Sequence, residues 1–245
     1  MATRRRPRRT RRPKQRGGRL QHTAVVIEPR KSMQKALEFV TRNILENLPK
    51  SWSVILFSGK ENDSEVKEFV KRLSPSEHSR VSVKSLGLDT MDTARYNTLM
   101  MSRRILDTIP TEVFLIVQTD SMLCKGGSDI LQKFMKYDYV GAPWKATATV
   151  GNGGFSLRRK TKMLEILDKC PTLNHNEDGF FSTGCEGALP SKPSAEEAEE
   201  FSVETIFNGK QPFGIHKAWY HLSEKQEQLE DKCLGYTNLK NLNTL

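Results

Sequence analysis

Short runs of consecutive apolar residues, rich in β-branched and aromatic side chains, alternate along the chain with stretches whose apolar positions recur every three or four residues. The first pattern fits strands covered on both faces and the second fits amphipathic helices; their alternation demands a mainly parallel sheet with crossover helices. Thr23 to Ile27, Ser53 to Phe57, Val81 to Ser85 and Glu112 to Val117 read as four strands. Met33, Leu37, Val40, Ile44 and Leu48 fall at helical spacing, and Pro49 closes that helix. Val66, Phe69, Val70 and Leu73 repeat the pattern up to Pro75. Ala94, Leu99, Met100, Ile105 and Ile109 predict one long helix ending at Pro110. Beyond Val117 loops dominate, interrupted by helices near Ile130 to Met135, Thr161 to Leu167 and Ser194 to Phe201. The expectation is one α/β domain over 22–222, with a mainly parallel central sheet, helices on both faces and a loop-rich C-terminal half. Residues 1–21 and the polar segment 223–245 read as tails.

The 245 residues are 36% hydrophobic, enough for one sizeable core. No uncharged apolar run approaches the ~18 residues needed to cross a bilayer, so no transmembrane segment is expected. The formal net charge of +10 has one origin. Nine arginines and Lys14 lie within residues 1–20, with no acid, and the rest of the chain holds 29 bases and 29 acids. Pro7, Pro13, Gly17 and Gly18, with almost no apolar side chains around them, predict a tail without regular structure. Residues 4–19 suit a polyanion, either nucleic-acid phosphates or an anionic membrane surface, or a nuclear-import address; the plain alternative is a solvated tail. No apolar core of a secretory signal follows the arginines. Cys124, Cys170, Cys185 and Cys233 show no CxxC or zinc spacing and read as reduced thiols. The expected location is intracellular, cytoplasmic or nuclear, with a virion-associated variant, and not secreted.

In an open parallel sheet, ligands bind beyond the carboxyl ends of the strands. That singles out Glu28 and Arg30 after the first strand and Gln118 to Asp120 after the fourth. Asp120 suits a divalent cation or a ribose hydroxyl, and equally the cap of a following turn. The glycines of Gly151-Asn152-Gly153-Gly154 permit a sharp turn or close approach to a ligand. Trp144 offers a flat face for a sugar or base, or a core side chain. Glu177 and Asp178, ahead of Gly179-Phe180-Phe181, fit a partly desolvated general base, or the acids of a helix N-terminus. His216, among Phe213, Ile215 and Trp219, is a core imidazole, a metal ligand or a diphosphate contact.

Taken in order, QTD, YDYVGAPW, VGNGGFSLR, NEDGFF and GIHKAW, with AVVIEPR and RYNTLMMS upstream, resemble the signatures of a family of predicted glycosyltransferases catalogued as a domain of unknown function. The resemblance covers roughly residues 23–221 and is similar, more distantly, to GT-A glycosyltransferases. It implies a GT-A-like single domain, a nucleotide-sugar donor and an acceptor glycan or glycoprotein. It also implies a divalent cation, Mn²⁺ or Mg²⁺, on Asp120 with His216. Asn152, Gly153, Gly154 and Arg158, with Trp144, would line the sugar site, and Glu28, Arg30, Gln118 and Asp120 the nucleotide. Asp178, with Glu177 beside it, becomes the base of an inverting transfer. Gln118 departs from the usual Asp-x-Asp pattern and brings no negative charge. The alternative is a non-catalytic structural or packaging protein that binds nucleic acid through its arginine tail. A third possibility, a phosphoesterase or nucleotidyltransferase using Asp120 and Asp178, would need a denser carboxylate cluster.

Overall fold

The structure, a computed structural model, describes residues 20–88, 90–172 and 176–244. The arginine tail therefore lies outside the described residues, and so does any structural account of its polyanion contact. Four strands build the parallel part of the main sheet: β1 (His22–Glu28), β2 (Trp52–Ser58), β3 (Val81–Ser85) and β4 (Val113–Val117). A short β5 (Ser121–Leu123) follows, then β6 (Tyr139–Val140), the two-residue partners β7 (Pro143–Trp144) and β8 (Thr149–Val150), and β9 (Phe155–Arg159). The last two strands are β10 (Ser202–Val203) and β11 (Gly214–His216). The main sheet runs in the order β3-β2-β1-β4-β9-β6. β9 is antiparallel to both β4 and β6. A three-stranded sheet, β10-β11-β5, stands beside it.

Strand alternation divides the core in two. Ala24 and Val26 of β1 face one cluster, with Leu37, Val40 and Ile44 of the helix Gln34–Asn47 and Val66, Phe69 and Val70 of the helix Asp63–Lys71. Val25 and Ile27 face the other, with Leu99, Ile105, Met163, Ile166 and Phe181 from four more helices. Burial on both faces is why β1, β2 and β4 read as nearly unbroken apolar runs. All five residues of β4 are buried.

Four expectations are corrected. The long helix before Pro110 is two, Thr93–Met100 and Arg103–Leu106. Ser102 is extended between them and its hydroxyl donates to the Leu99 carbonyl at 2.6 Å, a local bond that competes with the helix ladder. The stretch beyond Val117, read as mostly loop, holds a further helix, Glu177–Thr183, with both acids in its first turn as the helix-N-terminus reading had them. Residues 223–245 are no tail, because Gln226–Lys232 and Tyr236–Thr244 are helices whose Leu229, Tyr236 and Leu239 are fully buried. The domain thus continues to residue 244. Finally, the cysteines are not reduced thiols: Cys124 is bonded to Cys233 and Cys170 to Cys185. The expected intracellular location thereby loses its cysteine argument, since disulfides persist in oxidising surroundings. No helix of the described residues is long and apolar enough to cross a membrane.

Candidate active site

The chain lays β2 and β3 on one side of β1 and then returns to place β4 on the other. At such a reversal the loops leave in opposite directions and open a crevice. A cavity of about 460 Å³ lies there, bounded by Ile27 to Arg30 at the end of β1 and just beyond it, and by Gln118 to Asp120 after β4. The buried Glu28 carboxylate is fully engaged. It accepts from the Arg30 amide at 3.0 Å, Arg30 Nε at 2.8 Å, Arg30 Nη2 at 2.6 Å and the Thr119 hydroxyl at 2.9 Å. Glu28 therefore holds Arg30 and bridges the two loops, leaving the half-exposed guanidinium at the cavity wall.

Asp120 meets His216 across this wall, with Oδ1 3.3 Å from Nε2. β11 brings His216 there: it pairs antiparallel with β5, setting His216 opposite Ser121. On its other side His216 Nδ1 lies 3.2 Å from Oε1 of Glu204. Burial alone would lower the His216 pKa, but Asp120 and Glu204 outweigh it and the ring is pushed up to about 9. Burial likewise works against ionisation of Asp120, yet His216 and Lys217 hold its carboxyl below the usual range. Lys217, at φ 29°, donates its amide to the Asp120 carbonyl at 2.9 Å and also lines the cavity.

The opposite wall comes from the helix Glu177–Thr183. Glu177 forms a buried ion pair with Arg158 of β9, Nη1 to Oε2 at 2.6 Å, with the two side chains 4% and 1% exposed. Arg158 also lies over the rings of Tyr139 and Phe181. Fixed in this way, the helix presents Asp178 to the cavity. Asp178 Oδ1 accepts from the Gly179 amide at 2.7 Å. Burial first, and the neighbouring Glu177 second, raise the Asp178 pKa above the ordinary carboxylate value.

The structure brings Glu28, Arg30, Gln118, Asp120, Asn152, Gly154, Glu177, Asp178 and His216 around one cavity. Gly153 stands behind them, packed on Glu177, Asp178 and Arg158. Arg158 is buried behind the wall, and Trp144 covers Gly151 away from it. A methyl group on Gly154 would run into the His216 ring, so this glycine is what lets β9 pass the imidazole. The sequence reading missed Glu204, Asn243, Tyr96 and Asn97. Tyr96 and Asn97 stand within the RYNTLMMS segment, where only the resemblance marked them. Asn97 accepts from the Glu177 amide at 3.1 Å and lines the cavity, and the buried Tyr96 hydroxyl has no hydrogen-bond partner among the described residues. Asn243 donates to the Thr119 carbonyl at 3.0 Å from the terminal helix. Glu204 carried no local signal.

Among the described residues, Asp120 Oδ1 and both ring nitrogens of His216 are buried without a hydrogen bond: Nε2 faces Asp120 at 3.3 Å and Nδ1 faces Glu204 at 3.2 Å, and both contacts miss hydrogen-bond geometry. Two ligands of Mg²⁺ or Mn²⁺ at right angles, each about 2.1 Å from the ion, stand about 3 Å apart. The separation fits, and carboxylate with imidazole suits Mn²⁺, provided the ion displaces the proton that Asp120 and Glu204 hold on the ring. No group of three His, Cys, Asp or Glu that could hold a metal occurs among the described residues, so an ion here would take its other ligands from substrate and water.

A mixed α/β architecture, with four parallel strands flanked by antiparallel β9 and helices packed on the sheet, is a GT-A-like fold. The chain is similar in structure to the glycosyltransferase GlyE of Streptococcus pneumoniae TIGR4, at 10% identity and a TM-score of 0.54 over 90% of this chain and 62% of that one. It therefore spans about three fifths of the length of that protein. It is also similar to the galactosyltransferase LgtC, solved with donor and acceptor sugar analogs, at 6% identity and a TM-score of 0.57 over 90% of this chain and 94% of that one. A third likeness is to the mannosyltransferase PcManGT of Pyrobaculum calidifontis, solved with GDP-Man and Mn²⁺, at 15% identity and a TM-score of 0.51 over 72% of this chain and 55% of that one. At these identities the likeness establishes the fold. No curated protein matches the chain in sequence. Residues 80–216 match the family described as protein of unknown function DUF5672, and the chain belongs to that family.

Proposed function

We propose that the protein is a glycosyltransferase that moves a sugar from a nucleotide-diphosphate donor to an acceptor hydroxyl, with inversion. One observation carries this reading: a single cavity at the sheet's reversal point has Asp120 and His216 on one wall and the raised-pKa carboxylate Asp178 on the other. The donor's nucleoside diphosphate lies against Arg30, Gln118 and Asp120, and its sugar against Asn152 and Gly154. Asp178 takes the proton of the acceptor hydroxyl as that oxygen attacks the anomeric carbon, and the bond to the diphosphate oxygen breaks on the opposite face. Arg30 and Lys217 offer positive charge to the departing diphosphate. Asp120 and His216 would hold a divalent cation, which when bound neutralises charge on the diphosphate. Arg158 does not touch substrate; through Glu177 it sets the helix that carries Asp178.

The acceptor is a glycan or glycoprotein hydroxyl, and residues 4–19 add a polyanion contact that localises the protein. Support comes from the fold, the placement of the acidic groups and the glycine passage beside His216. A thermal-shift screen of nucleotide sugars with and without Mn²⁺ tests the reading: one donor should raise the melting temperature, and a flat response to every donor contradicts it.

A further inference from the structure

We infer that Glu204 is a positioning residue for the Asp120–His216 pair, locking the imidazole so that Nε2 faces Asp120 and the cavity. The inference rests on the glycosyltransferase reading only in supposing that this pair receives a divalent cation. Glu204 directly follows β10, which runs parallel to β11 with Val203 beside Ile215, so the register sets Glu204 next to His216. It is 5% exposed. Oε1 lies 3.2 Å from His216 Nδ1, and Oε2 accepts from Asn152 Nδ2 at 2.7 Å. Asn152 in turn accepts from the Gly154 amide at 3.1 Å, and Gly154 packs on the His216 ring.

An imidazole can offer Nε2 to a cation only if its proton sits on Nδ1, and the buried Glu204 carboxylate 3.2 Å from Nδ1, though outside hydrogen-bond geometry, draws the proton to that nitrogen and restrains the ring plane. Here the same carboxylate anchors Asn152, so one buried residue sets both the nitrogen facing Asp120 and the amide lining the sugar side of the cavity. Asp120 and His216 come from segments 96 positions apart in sequence, and Gly154, packed on the ring, restrains its plane without favouring a proton on either nitrogen. Glu204 supplies that preference.

The test uses the full chain and Mn²⁺ alone, with free Mn²⁺ followed by its electron paramagnetic resonance signal. Glu204→Gln is nearly isosteric but puts an uncharged amide where the carboxylate stood. It should weaken Mn²⁺ binding about 10- to 100-fold, the usual cost of losing such an outer partner, with melting still cooperative. A folded Glu204→Gln protein that binds Mn²⁺ as the wild type does overturns the inference, as does a wild type that binds no Mn²⁺. If the variant does not fold, ¹⁵N spectra of the wild type in Mg²⁺ decide: a proton on Nδ1 and none on Nε2 of His216 supports the inference, and the reverse overturns it. Nucleotide-sugar binding, measured in parallel on the wild type, separates the two ideas. Donor binding with an unchanged Mn²⁺ affinity in the variant removes only the role of Glu204, whereas absence of donor binding removes the transferase reading.

Discussion

Asp178 is where fold and chemistry oppose each other. Its folded pKa is raised, by burial and by Glu177, so the protonated form is the one folding favours. The sign follows from linkage: that stability is present below the unfolded value of about 3.9 and is lost as pH rises through the higher folded value, so an ionised Asp178 costs stability at neutral pH. Asp178→Asn should therefore raise the melting temperature at pH 7 while transfer falls about 10²- to 10⁴-fold, the range expected for a general base. Transfer by the wild type should decline on acidification at a pH above that of an ordinary carboxylate, read from a pH–rate profile of kcat/KM. Glu177 behaves differently although it is the next residue. Its charge is matched by buried Arg158, and Glu177→Gln leaves that guanidinium unpaired, which should cost about 3 to 5 kcal/mol in denaturant unfolding. Local sequence placed both acids together but could not tell them apart, because the distinction is made by Arg158 on a different strand.

Among the elements, the strands were legible because both of their faces are buried, so composition alone marks them. β3 agrees with its predicted range, and β1, β2 and β4 differ by a residue at one or both ends. The break between Thr93–Met100 and Arg103–Leu106 was not legible, since the apolar spacing runs on unchanged through Ser102. The helix at Glu177 was legible only as one of two readings of its acids, because Gly179 within it is a weak helix former. The glycine segment was legible as a turn, but its purpose needed the partners: Gly151 against Trp144 and Gly154 against His216. Gly151→Ala should destabilise the fold by about 1 to 3 kcal/mol through overpacking, measured by chemical denaturation. Gly154→Ala should also displace the imidazole and reduce transfer more than it reduces stability.

For the molecule as a whole, the charge arithmetic separated a basic tail from an electrically balanced body, and the α/β body has the fold that pattern and resemblance implied. The disulfides and the packed C-terminus were not legible, because Cys124 and Cys233 are 109 residues apart and the helices 226–244 are polar except where they touch the core. A loop of that length is stabilised by about 4.7 kcal/mol when closed, against about 3 kcal/mol for the 15-residue separation of Cys170 and Cys185. Mass spectrometry of the non-reduced protein should find both bonds, and Cys124→Ala should lower the melting temperature more than Cys170→Ala. Equal or negligible effects would show that the C-terminal helices are held by packing alone.

The transferase reading meets its most direct test in calorimetric titration of the chain with UDP, GDP and their sugar conjugates, in the presence and absence of Mn²⁺, for the wild type and for Asp120→Asn. One nucleoside diphosphate should bind the wild type with Mn²⁺ and lose at least tenfold in affinity on Asp120→Asn, with its sugar conjugate turned over when an acceptor is supplied. Failure of every nucleotide to bind, or binding indifferent to Asp120, would contradict the placement of the donor at the reversal of the sheet.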